Sequence, residues 1–241
     1  MNIYRKIPYI LNNYIKQHKL LDPEVNNSCS EFEVNNWIIS EFVIKELVPL
    51  VGIHPYPLNE LMLMVSALCR LKPTHIYEWG THIGKSARIF YEITKYFDIT
   101  SEIHSIDLPD NVQHGEHPQQ NRGILVKNIR NITLHQGDGL TVALKFHKYN
   151  GKKTNPLFFL DGDHAYRSVK RELTGIMKHA PNASILIHDT FYQSKQSGYN
   201  TGPYRAIRDS LRNIPNKYIT LSTNLGLPGM TLLYNPTTIR D

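Results

Sequence analysis

Two cysteines, Cys29 and Cys69, are all that the 241 residues contain. Two distant thiols make no disulfide framework for a chain this long, and they point to a reducing compartment. Long hydrophobic runs are missing too. No stretch reaches the ~20 apolar residues of a membrane-spanning helix. The opening "MNIYRKIPYILNNYIKQ" breaks its apolar residues with Asn, Lys and Gln, so it lacks the uninterrupted core of a signal peptide. The expectation is a cytoplasmic protein with no membrane partner. Concentrated charge is also lacking. The formal balance is +6 with His neutral, yet the Lys and Arg are scattered and the longest basic run is Lys152-Lys153. Without a basic stripe interleaved with aromatics, nucleic acid is not expected as a partner. What is present is 41% hydrophobic residues, enough for a sizeable core, in a length that fits one large α/β domain.

Residues 1–72 read as a helical segment. "NNWIISEFVIKELVPLV" and "PLNELMLMVSALCRL" carry apolar residues at helical spacing, and Pro57 suits a helix start. These helices are candidates for a substrate cap or for pairing subunits into a homo-oligomer. From residue 73 to 241 the rhythm changes to short apolar runs alternating with amphipathic stretches. "HIYEW", "EIHSID", "ITLHQ", "PLFFLD" and "SILIHD" read as strands. A helix is predicted after each, including one around 117–129 between the second and third. "YITLS" and "MTLLYN" close the chain as strands with no helix between them. This alternation predicts parallel pairing, right-handed crossovers and a doubly wound sheet with one antiparallel insertion. In such sheets ligands sit beyond the carboxyl ends of the strands, so the chemistry is sought after Trp79, Asp107, Gln136, Asp161 and His188.

The first of these turns is "YEWGTHIGKSA". Its Gly84-Lys85-Ser86 ends as a phosphate-binding loop does, but that loop has four residues between its glycines and here Gly80 and Gly84 have three. A shortened loop forms a different nest of N–H groups, and Glu78 would face the phosphates with like charge. S-adenosylmethionine (SAM) makes other demands. It carries a sulfonium, an amino group and a carboxylate, and no phosphate. A glycine turn can receive the carboxylate, and an acid near the strand end complements the positive groups. A second acid at the next strand end can accept from both ribose hydroxyls. Asp107, 23 residues after Gly84, is placed for that. Asp138 in "QGDGL" is a candidate acceptor for the adenine amino group, and equally a helix N-cap.

With these residues, the region from about 73 to 234 resembles the class I SAM-dependent methyltransferases, whose first motif is written E-x-G-x-x-x-G-x-S. The resemblance implies a Rossmann-like, seven-stranded, mostly parallel sheet with a terminal antiparallel hairpin, preceded here by the N-terminal helices. It implies cofactor contacts from Glu78, Gly80, Thr81, Gly84, Ser86, Asp107, Leu108, Asp138, Gly139 and Asp161. Lys85 reads as an ordinary first-turn helix residue.

A second stretch, "FFLDGDHAYRSVKREL", places Asp161 at the end of a strongly apolar strand, with Asp163 and His164 in the turn after it. The neighbouring strand ends in His188-Asp189. Adjacent strands lie about 4.8 Å apart, so carboxylates at both ends can share one cation. This is similar to the metal-dependent small-molecule O-methyltransferases of the catechol, macrolide-sugar and cephalosporin-precursor types. Carried over, the metal ligands are Asp161, His188 and Asp189, the cofactor metal is Mg²⁺ or Mn²⁺, and His164 is the general base. The acceptor implied is a small hydroxylated molecule, with sugar-containing or polyhydroxylated metabolites foremost. One departure stands out, because position 188 is ordinarily acidic. Imidazole is a weaker partner for Mg²⁺ than a carboxylate, so His188 is either a ligand for a more nitrogen-tolerant metal or an outer group. A free imidazole titrates near 6.5, within reach of a base at neutral pH. Rival readings are a metal-independent SAM methyltransferase, a non-catalytic SAM-binding protein and a glycosyltransferase reading of Asp161-Gly162-Asp163. The last leaves the glycine turn and Asp107 unexplained. Acceptor recognition is assigned to the N-terminal helices and to the loops at 109–121 and 190–203.

Overall fold

The computed structural model describes residues 32–112, 121–151, 154–194, 196, 199–212, 214 and 217–236. Residues 1–31, part of the expected helical segment, lie outside them. Seven strands form one sheet: β1 (His75–Trp79), β2 (Glu102–Asp107), β3 (Ile132–Gln136), β4 (Pro156–Leu160), β5 (Ser184–His188), β6 (Ile219–Ser222) and β7 (Met230–Tyr234). Their order is β3-β2-β1-β4-β5-β7-β6. The first five run parallel, and β7 is antiparallel to both β5 and β6. The expected Rossmann-like doubly wound sheet with its closing hairpin is therefore present. The strand order reverses between β1 and β4, which opens a crevice at their carboxyl ends.

Burial explains the reading of the strands. All five residues of β4 and of β5 are buried, as expected of parallel strands covered on both faces. Phe158 and Phe159 point to opposite faces and are fully buried in the two core layers. Each burial contributes roughly 2–3 kcal/mol.

The N-terminal helices are α1 (Asn36–Phe42), a π-helical turn (Val43–Leu47), α2 (Val48–Val51) and α3 (Leu58–Leu71). Asn35 caps α1, its side chain accepting from Trp37 N at 3.2 Å. Residues 35–51, helical in their apolar spacing, form a helix that the structure widens at Val43–Leu47. The physical reason is Pro49, which lacks an N–H and crowds the carbonyl four residues earlier. Ile39, Phe42, Leu61 and Met64 share one core layer with Phe90 and Phe159, so these helices pack directly on the sheet.

The crossover helices are α4 (Lys85–Tyr96), α5 (Gly139–Asn150), α6 (Tyr166–His179) and α7 (Gly202–Leu211). Of the helix predicted around 117–129, no α-helical turn is found among the described residues. Residues 117–120 lie outside the described residues, and 121–129 hold only a 3-10 turn at Ile124–Val126. Gly123 adopts φ 65°, and the N–H groups of Gly123 and Leu125 go to the carbonyls of His82 (2.8 Å) and Ile83 (3.0 Å). Donors spent there cannot build a helix, and they brace the glycine turn instead.

Candidate active site

The cleft beyond the ends of β1 and β4 has a volume of about 1200 Å³. Gly80, Thr81, Ser86, Asp107, Leu108, Asp138, Gly139 and Asp161 line it, as do His164, His188 and Asp189. Of the expected site residues, Glu78 and Gly84 do not. Gly84 starts α4 with φ 88°, packed against Val126. Gly80 holds φ 97°, and a Cβ there would stand 2.3 Å from the Asp161 carbonyl oxygen. That close approach of two strand ends demands glycine.

Glu78 lies beneath the turn, 1% exposed. It accepts from Ser105 Oγ at 2.5 Å, and Ser105 meets Thr81 Oγ1 at 2.6 Å. Burial pushes its carboxyl up to about 7, against the opposing hydroxyls of Ser105 and Ser86. Glu78 thus supports the loop from below. Asp107 stands at the cleft, accepting from Leu108 N at 2.8 Å, His82 N at 3.1 Å and Arg122 Nε at 3.3 Å. Asp138 caps α5 through Thr141 N at 2.9 Å and pairs with Arg171. Its carboxylate is committed to those groups, the capping alternative of the two open from sequence. Asp163 also caps, accepting from Ala165 N at 2.9 Å at the head of α6.

The donor set suits SAM. Carboxylates of Asp107 and Asp161 line the cleft around the glycine turn, where they complement a sulfonium and an ammonium better than a triphosphate.

At the other end of the cleft seven side chains interlock. His188 Nδ1 is 2.8 Å from Asp161 Oδ1, and its Nε2 is 3.0 Å from Glu60 Oε2. His164 pairs through Nδ1 with Asp189, while its Nε2 is 3.3 Å from Asp161 Oδ1. That Nε2 is buried without a hydrogen-bond partner among the described residues. Tyr56 donates to Asp161 Oδ2, and Tyr199 donates to Asp189 Oδ1 at 2.5 Å. Burial alone would lower both imidazoles. Asp161 with Glu60 overrides it for His188, raised to about 10, and Asp161 with Asp189 does so for His164, raised to about 9. The value near 6.5 expected of His164 therefore does not describe it in this setting. Asp161 is held below the usual carboxylate range, its burial outweighed by His188 and then His164.

Three donor atoms, one each from Asp161, His164 and His188, lie within 4.8 Å of one another. Neighbouring ligands of a small divalent ion at ~2.1 Å stand about 3 Å apart, so the spacing fits a cation. Such an ion would also drive the protons off both imidazoles. The set mixes nitrogen with oxygen, which favours Mn²⁺, Co²⁺ or Ni²⁺ over Mg²⁺. Asp189, expected as a ligand, is not in this group. It follows the end of β5 in a left-handed conformation, φ 57°, and its carboxylate backs His164.

Glu60, Tyr56 and Arg122 escaped the sequence reading, which had Tyr199 only as one of the tyrosines of the 190–203 loop. For Glu60 a signal existed: it sits at 60, 64, 68 spacing with Met64 and Leu68, an acid on the apolar face of α3.

The methyltransferase domain family matches residues 77–190. No curated protein matches the sequence. Among solved structures, a TDP-rhamnose 3'-O-methyltransferase of calicheamicin biosynthesis superposes with TM-score 0.50 at 14% identity, covering 83% of this chain and 92% of that one. An SAH-bound methyltransferase from Podospora anserina gives TM-score 0.51 at 14% identity, over 98% and 97% of the two chains. The O-methyltransferase TomG from Streptomyces achromogenes, of tomaymycin synthesis and in complex with SAM, gives 0.50 at 15%, over 92% and 94%. These likenesses agree with the sheet order and the glycine turn: residues 77–190 match the methyltransferase domain family, and the chain has the fold of these SAM-dependent methyltransferases.

Proposed function

We propose that this chain transfers the methyl group of SAM to a hydroxyl oxygen of a small molecule, with His164 as general base and a divalent cation held at Asp161 and His188. The observation that carries this is the state of His164. Its Nδ1 is held by Asp189, and its buried Nε2 has no hydrogen-bond partner at the cleft beside Asp161. A base oriented by a carboxylate through one nitrogen, with the other left without a hydrogen bond among the described residues, is the arrangement general-base work needs.

Bound SAM supplies an electrophilic methyl: the acceptor oxygen forms the O–C bond as the C–S bond breaks, leaving S-adenosylhomocysteine. Asp161 and His188 would hold the cation, which would supply Lewis acidity that lowers the pKa of an acceptor hydroxyl. The remaining work belongs to the chain. Asp107 accepts from the ribose hydroxyls, and the Gly80–Gly84 turn receives the amino-acid end. His164 Nε2 takes the hydroxyl proton. Tyr56 and Asp189 hold Asp161 and His164 in place. Ile53, Pro55 and Tyr56 from the N-terminal segment and Tyr199 from the 190–203 loop border the acceptor's end of the cleft, in keeping with the sequence assignment. Leu227 and Pro228 of the β6–β7 hairpin join them. Polar groups at an apolar wall suit a hydroxylated metabolite with an apolar face.

Calorimetry of SAM binding tests the cofactor assignment. Removing a carboxylate that accepts charge-assisted or paired hydrogen bonds costs about 1.5–3 kcal/mol, so Asp107→Ala is expected to weaken SAM by roughly ten- to a hundredfold. Undiminished affinity in that variant removes Asp107 from the ribose site. One observation favours a second reading for His164. Its convergence with Asp161 and His188 makes it a candidate third ligand.

A further inference from the structure

Glu60 opens α3, a helix whose other inward positions are mostly apolar, and it is 0% exposed. A carboxylate taken that far from water is costly unless every oxygen is satisfied. Oε1 accepts from Gly229 N at 2.7 Å, which anchors the β6–β7 hairpin. Oε2 faces His188 Nε2 at 3.0 Å. A carboxylate only accepts, so that contact requires the Nε2 proton on the ring. The same segment grips the pair a second time. Tyr56, four residues earlier, donates to Asp161 Oδ2 and packs edge-on against the His188 ring at 5.0 Å between centroids. Asp161 and His188 are thus held from one side by the start of α3.

We propose that Glu60 is a positioning residue for methyl transfer: it fixes the His188 ring with Nε2–H toward the helix and Nδ1 toward Asp161. This rests on the methyltransferase reading of the cleft. It makes the N-terminal helices part of the reacting end of the site, since they supply a group the sheet and its crossovers do not.

The test is Glu60→Gln, followed by turnover, SAM affinity and the ring nitrogens of His188 in ¹⁵N NMR. Glutamine keeps one oxygen for Gly229 N–H but turns an NH₂ toward His188. It cannot accept from both donors, and with its oxygen kept by Gly229 N–H the NH₂ group favours an unprotonated Nε2 on the ring. The expected result is a kcat lower by about 10- to 100-fold, the range for losing the outer partner of a site histidine, with SAM affinity unchanged. The Nε2 signal is expected to move from protonated in the wild type to unprotonated in the variant. A folded variant with wild-type kcat overturns the proposal, and so does one whose Nε2 stays protonated. Should Glu60→Gln fail to fold, the wild-type spectrum decides, because an unprotonated Nε2 there overturns the assignment by itself. A wild type that binds no SAM defeats the methyltransferase reading, while the nitrogen spectrum still decides the contact with Glu60.

Discussion

His164→Ala is expected to lower kcat by about 10² to 10⁴, the usual cost of removing a general base. SAM affinity should stay as it is, because the glycine turn and Asp107 lie elsewhere along the cleft. Geometry sets the expectation. Asp189 holds Nδ1, so only Nε2 can receive a proton, and Nε2 is the nitrogen at the cleft. The measurement is kcat beside SAM affinity and divalent-ion affinity. A base leaves ion affinity intact when removed, whereas a third ligand takes it away. Unchanged turnover would return His164 to an ordinary turn residue paired with Asp189.

The second large effect is expected at Asp161. Its carboxylate is the common partner of His164, His188 and Tyr56, so the interlocked group is built around it. Asp161→Asn keeps the shape but removes the charge and one acceptor. Turnover should fall below about one hundredth of wild type, at or beyond the loss from removing an outer partner of a metal site. Chelator-stripped wild-type enzyme should lose turnover and regain it with Mn²⁺ or Co²⁺ more readily than with Mg²⁺, given the His188 nitrogen beside Asp161. The Asn variant should regain none. Full turnover of the stripped wild type would defeat the cation and leave a methyltransferase working through His164 alone.

Much of this was readable from local pattern. β1, β2 and β3 fall at the residues the apolar runs mark, since each run is bounded by turn formers and a strand's period of two needs few residues to declare itself. The carboxyl ends of β2, β4 and β5 led directly to Asp107, Asp161 and His188. What failed was tertiary. The π-helical turn depends on how a chain accommodates Pro49, and the 121–129 segment spends its N–H groups on carbonyls about 40 residues away. Glu60 and His188 are 128 positions apart, and a single acid in a helix's first turn is ordinarily explained by the helix dipole. Only its place on the apolar face distinguished it. Asp189 came into the ligand set from the family resemblance; in the structure it follows the end of β5 in a left-handed conformation and its carboxylate pairs with His164.

The cofactor is the claim on which the other roles depend, and thermal unfolding with SAM, S-adenosylhomocysteine and ATP tests it most directly. A ligand at a hundredfold excess over its Kd stabilises the folded state by about 2.7 kcal/mol. For a domain of this size that corresponds to a Tm higher by roughly 5–10 °C. The account predicts that rise with SAM and with S-adenosylhomocysteine, and none with ATP, whose phosphates would meet the carboxylates around the glycine turn. A rise with ATP and none with SAM would contradict it.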